Sequence, residues 1–186
     1  LGDVFRVWKL PDPLVPIEGE YRVTWIDVSQ WSIMYLHFDD AIGNIVGTGD
    51  LLSNRSSTPL NTVIDGVNIH SNKWRWMLIA AENVDIKNSL FSDTSAPALH
   101  IHTDYGDFSE SIPPSNVYVT NNTFNPWNGD NQPRIRLYGY YYDSWLHAGS
   151  GSMENIFICN NTFSGSINYD VYVSSSHDVV INNNVY

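Results

Sequence analysis

Four nine-residue segments of this chain repeat one order of side chains. They read NVDIKNSLF from Asn83, NVYVTNNTF from Asn116, NIFICNNTF from Asn155 and DVVINNNVY from Asp178. A weaker copy, NTVIDGVNI, begins at Asn61. The steps from 61 to 83 and from 155 to 178 are 22 and 23 residues; the intervening steps of 33 and 39 are one such period plus an insertion. A period near 22, built of a short alternating strand, an Asn-rich corner and a second short strand, predicts a solenoid. One turn cannot bury its own apolar side, so stacked neighbours supply the core. The expected fold is all-β, a parallel β-helix with about three short strands per turn. Asn suits its corners for two reasons: it tolerates left-handed backbone, and its amide bonds to nearby backbone groups. Asn88, Asn122, Asn161 and Asn183 are expected at matching positions, roughly in register.

A second ladder runs beside the first, in WMLIA from Trp76, ALHIH from Ala98, RIRLY from Arg134 and DVYVS from Asp170. Alternation puts Met77, Ile79, Leu99, Ile101, Ile135, Leu137, Val171 and Val173 on the interior face. The other face then carries Trp76, Leu78, His100, His102, Arg134, Arg136, Tyr138, Asp170 and Tyr172. Repeat position stacks Leu78, His100, Arg136 and Tyr172 in one column, and His102 with Tyr138 and Ser174. Insertions at 103–115, 125–133 and 139–152 project from these turns, where solenoids commonly bind.

Residues 1–57 do not follow the repeat. Val4 to Lys9, Tyr21 to Val28 and Trp31 to Phe38 read as strands of a small antiparallel segment, or the end of an inserted β module. The proline-rich stretch LPDPLVPIEGE reads as a loop, Gly43 to Ser57 as a connection, and residues 58–186 as the solenoid. The last turn, from Val179, carries no cap, so further β-helix turns are expected from another chain or from polypeptide outside these residues.

Charge narrows the partners. Nine Lys and Arg against 20 Asp and Glu give a net charge of −11. That excess argues against nucleic acid as a partner. No apolar run is long enough to span a bilayer. The single cysteine, Cys159, excludes an internal disulfide and a cysteine metal site.

The chemistry-bearing side chains gather around the second ladder. Asp104, Asp107 and Glu110 follow His100 and His102, and Asp143 lies in the later insertion. Glycoside hydrolysis uses two carboxylates, one protonated as acid and one ionised as base or nucleophile. Clustering raises the pKa of one member and suits that division. Asp104 and Asp107 are the first candidates, with Asp143 or Glu110 as partner. Trp76, Trp145, Tyr138 and Tyr172 offer flat platforms for the C–H face of a sugar, while His100, His102, Arg134 and Arg136 reach its hydroxyls or a carboxylate. The expected partner is an oligo- or polysaccharide. No cofactor and no metal are implied, although His100, His102 and Asp104 form a possible ligand trio.

The NNTF block with its preceding alternating strand resembles the right-handed parallel β-helix superfamily typified by pectate lyases and many polysaccharide-active enzymes. The resemblance covers about residues 59–186. A closer likeness is to bacterial glycoside hydrolases of the blood-group α-1,3-galactosidase family. In those a β-barrel-like module interrupts the solenoid, which resumes with an ALHIH-like strand, an acidic or aromatic loop and an NVYVTNNTF-like strand. The resemblance implies exo-hydrolysis of a terminal sugar outside the cytosol, extracellular or periplasmic, with part of the site on earlier turns. The family's acidic pair followed by Asn-Val-His is not found here. Related families with this fold cleave uronic-acid glycans by elimination, often with calcium. A non-catalytic glycan-binding subunit or adhesin is the alternative outside enzymology.

Overall fold

In the computed structural model, residues 1–9, 15–16, 19–28, 34–43, 46–47, 50–72, 75, 77–105, 112–125, 132–141, 152–165 and 168–186 are described. The chain divides into two units, Leu1–Thr58 and Pro59–Tyr186.

The first unit is an antiparallel sheet of β1 (Val4–Lys9), β2 (Val15–Pro16), β3 (Tyr21–Val28), β4 (Met34–Phe38) and β5 (Leu51–Asn54), closed by a 3-10 turn at Arg55–Ser57. β1 sits at its centre, pairing with β2, β3 and β5. Two strands correct the sequence reading. The proline-rich loop contains β2, which lies at the sheet end where a missing N–H is tolerated. The expected connection Gly43 to Ser57 contributes β5, anchored where the Trp8 indole N–H donates to Ser53 Oγ at 2.8 Å. Part of the expected strand Trp31 to Phe38, residues 31–33, lies outside the described residues. After β4 the chain turns at Asp39, whose carboxylate accepts from the backbone N–H groups of Arg22 and Asp40.

The second unit is a right-handed parallel β-helix. Its strands in chain order are β6 (Thr62–Asp65), β7 (Asn68–Asn72), β8 (Met77–Ile79), β9 (Glu82–Lys87), β10 (Leu90–Thr94), β11 (Leu99–Tyr105), β12 (Ser115–Thr120), β13 (Thr123–Phe124), β14 (Ile135–Tyr141), β15 (Glu154–Cys159), β16 (Thr162–Phe163), β17 (Val171–Val173) and β18 (Val179–Asn182). They stack as three parallel sheets: β6-β9-β12-β15-β18, β7-β10-β13-β16 and β8-β11-β14-β17. No described helix is long and apolar enough to cross a membrane.

Columns of alternating apolar residues fill the interior. Ile86, Val119 and Ile158 share one column; Leu99 and Ile135, and Ile101 and Leu137, share others, all fully buried. Each such side chain contributes about 1.5–3 kcal/mol of transfer free energy. The aromatic ending each repeat forms a continuous stack. Phe91, Phe124, Phe163 and Tyr186 lie 5.0 to 5.5 Å apart with rings within 11° of parallel. Val173, expected inside, is half exposed on the edge strand β17.

The corner corrects the expected Asn column. Asn88, Asn121, Asn160 and Asn183 share one position, with φ between 52° and 58°. The next residues, Ser89, Asn122, Asn161 and Asn184, form a different column whose side chains turn inward. Asn122 Oδ1 accepts from Ser89 N–H at 3.0 Å, and its Nδ2 donates to the Ile86 carbonyl at 2.9 Å and to Asn161 Oδ1 at 3.2 Å. Asn161 repeats the pattern with Asn122 N–H, the Val119 carbonyl and Asn184. The two advantages of Asn therefore belong to consecutive residues: left-handed tolerance to the first, amide bonding to the second. A third column, at the start of the strands, joins Asn116 to Asn83 and Asn155 to Asn116 through side-chain amides.

Candidate functional site

The outer face of the third sheet carries most of the described ring and basic side chains singled out from the sequence. Strands β11 and β14 pair through seven residues, from Leu99↔Ile135 to Tyr105↔Tyr141. The register aligns His100 with Leu78 and Arg136, Arg136 with Tyr172, and His102 with Tyr138. It is the register that the repeat offset gives. Both strands run three residues into segments read from sequence as insertions, so Asp104 pairs with Tyr140.

Parallel pairing forces these side chains together. The imidazoles of His100 and His102 stack at 4.8 Å, and Tyr138 lies 6.3 Å from His100. His102 Nδ1 lies 3.2 Å from the Tyr138 carbonyl, which can only accept, so this nitrogen carries the proton. The Arg136 guanidinium sits 4.3 Å over the Tyr138 ring and 5.8 Å from that of Tyr172. Such cation–π contacts contribute about 0.5–2 kcal/mol.

Exposure is uneven along the face. Leu78 is exposed, and His102, Arg136 and Tyr172 are half-buried, whereas His100 and Tyr138 are buried. Among the described residues His100 Nε2 has no hydrogen-bond partner. Burial first, then the charges of His102, Arg136 and Arg75, push His100 down to about 3. It is therefore neutral through the physiological range. Arg75, which was not among the sequence candidates, enters only through its charge acting on His100.

Arg134 lies elsewhere. It precedes β14, is 1 % exposed, and donates to the Asp170 carboxylate and the Ser164 carbonyl. Burial lowers its pKa. Its fork ties Ser164 and Asp170 to the base of the strand, so two of its donors and Asp170 are engaged within the protein.

Of the remaining candidates, Asp104 is placed by its backbone alone. Asp107, Glu110, Asp143, Trp76 and Trp145 lie outside the described residues. Among the described residues no group of three or more His, Cys, Asp or Glu side chains could hold a metal ion. No family model matches the chain, and no curated protein matches it.

Proposed function

We propose that the chain is a carbohydrate-active β-helix, a glycoside hydrolase or part of one, acting outside the cytosol. The outer face of the third sheet is its sugar-binding surface. A carboxylate pair drawn from Asp104, Asp107, Glu110 and Asp143 supplies acid and base or nucleophile. The observation that carries this reading is the pairing of β11 with β14. It sets a ring-and-guanidinium row, His100, His102, Arg136 and Tyr138, beside the backbone of Asp104. Rings meet the C–H face of a sugar and the polar groups meet its edge. The resemblance of the repeat to polysaccharide-active β-helices supports the same class, although fold alone does not assign chemistry.

In this mechanism a protonated carboxyl gives its proton to the leaving glycosidic oxygen. With the two carboxyl groups about 5–5.5 Å apart, the second attacks the anomeric carbon and water then hydrolyses the glycosyl-enzyme ester; with them about 6.5–9.5 Å apart, it activates a water that attacks directly. The test is hydrolysis of a glycan panel by the intact chain and by Asp104→Asn, Asp107→Asn, Glu110→Gln and Asp143→Asn. Loss of more than about a hundredfold in two variants identifies the pair. Full activity in all four would sink the assignment. Binding without turnover would favour a non-catalytic glycan-binding subunit, a reading supported by the ring-rich face itself.

A further inference from the structure

The β3–β4 hairpin of the first unit reaches past the strand that supports it. β1 pairs with β3 only at Tyr21 and Arg22, and Gly2 and Asp3 extend that contact to Val23. Further along, the hairpin register runs Trp25↔His37, Ile26↔Leu36, Asp27↔Tyr35 and Val28↔Met34. Over this length it has no third strand among the described residues. A two-stranded ribbon is marginal in water by itself. Its side chains are also those of an interior: Trp25, Ile26, Val28, Met34 and Tyr35 are all exposed.

Alternation puts Met34, Leu36 and Phe38 on one face of β4 and Tyr35 and His37 on the other. The first face continues the core of the unit, because Phe38 pairs with buried Val23 and meets the rings of Phe5 and Tyr21 edge to face. The strands also differ in how they guard their edges. Charges, prolines and bulges keep edge strands from pairing with other chains. β2 carries Pro16, and β3 carries Asp27 and the register shift between Val23 and Trp25. β4 ends the sheet and carries no Asp, Glu, Lys, Arg or Pro.

An edge of this kind takes a strand, because its backbone N–H and C=O groups complete a ladder. A chain of net charge −11 attracts basic partners, yet β4 offers no acid to meet one. A second β4 fits instead. Antiparallel pairing about Leu36 sets Leu36 opposite Leu36, Met34 opposite Phe38 and Tyr35 opposite His37, with no like charges facing. The apolar row Ile26–Leu36 then continues into the same row of the second copy, four strands wide.

We propose that β4 is a dimer edge: two copies of this chain pair antiparallel through it, about a two-fold axis at Leu36, in one sheet of order β3-β4-β4-β3. The contact is isologous, so it closes and leaves no free edge at β4. It is independent of the sugar-binding reading above.

Sedimentation velocity of the intact chain over a concentration series should show a species of twice the chain mass. Leu36→Glu sets two carboxylates face to face at the axis and should raise the dissociation constant about a hundredfold or more. Val63→Glu, the same change at an exposed position of the solenoid, should leave it unchanged. In a Cys159→Ser background, oxidation should link Leu36→Cys chains, whose Cα atoms face each other at about 4.5–5.5 Å, and not Ile26→Cys chains, about 14 Å apart. A monomer at every concentration overturns the proposal, and slow amide exchange along β4 in that monomer assigns the edge to another part of the same chain. A dimer that links through Ile26→Cys overturns it too, as does one that Leu36→Glu leaves intact at unchanged Tm. Should Leu36→Glu not fold, the two linkage variants decide.

Discussion

The corner between the first and second sheets and the outer face of the third are built from similar materials, yet they treat polar groups in opposite ways. At the corner, each interior Asn amide completes bonds to the turns on either side, and Asn122 and Asn161 are buried at no cost in unmet partners. On the third sheet, a buried imidazole nitrogen and a half-buried guanidinium lack polar partners among the described residues. An unmet buried polar group costs about 1–3 kcal/mol. One region converts polarity into stability; the other leaves polar groups without partners among the described residues.

Substitutions at four positions test that contrast, beginning with the largest effect. Phe124→Ala opens the middle of the aromatic stack and should cost about 3–5 kcal/mol in urea unfolding. A cost below about 1 kcal/mol would mean that the column is not a structural spine. Asn122→Ala strips partners from the Ile86 carbonyl and the Ser89 N–H, each about 1–3 kcal/mol. Its Tm should fall sharply while glycan affinity per folded molecule stays unchanged.

His100→Leu should do the reverse, keeping or raising stability at neutral pH and weakening glycan binding. It also changes the pH response. Because His100 is held below its ordinary pKa of 6.5 in the folded chain, at about 3, the unfolded chain takes up the proton first. Its contribution is full above about pH 6.5 and is lost as pH falls toward 3, with a slope of at most about 1.4 kcal/mol per pH unit. The difference between unmodified and His100→Leu unfolding curves, measured from pH 7 to 4, should show that slope; parallel curves would contradict it. The smallest effect belongs to Asn121, at φ 56°. Asn121→Val should cost about 1–2 kcal/mol and Asn121→Gly close to nothing, read as shifts in Tm.

Much of the solenoid was legible because its information is local and repeated. Alternation gave the interior face, and the repeat offset aligned His100 with Arg136. The Asn columns were misread by one position because two Asn residues adjoin in NNTF, and only numbering from the start of each copy separates Asn121 from Asn122. The burial of Arg134 was hidden for another reason. Just before a strand, alternation no longer says which way a side chain faces, and its partners Ser164 and Asp170 are 30 and 36 residues away. In the N-terminal unit, β2 and β5 span two and four residues. Strands that short carry no period of their own, and their pairing is decided by β1.

The amide column has one more consequence. Its successive members are separated by 33, 39 and 23 residues of chain, yet they hold the same contacts. Alignment between neighbouring turns is thus independent of the length of chain that joins them. Segments between turns are therefore open to lengthening, trimming or exchange between related chains while the frame keeps its geometry. A scaffold of this kind can acquire a new specificity by loop replacement alone.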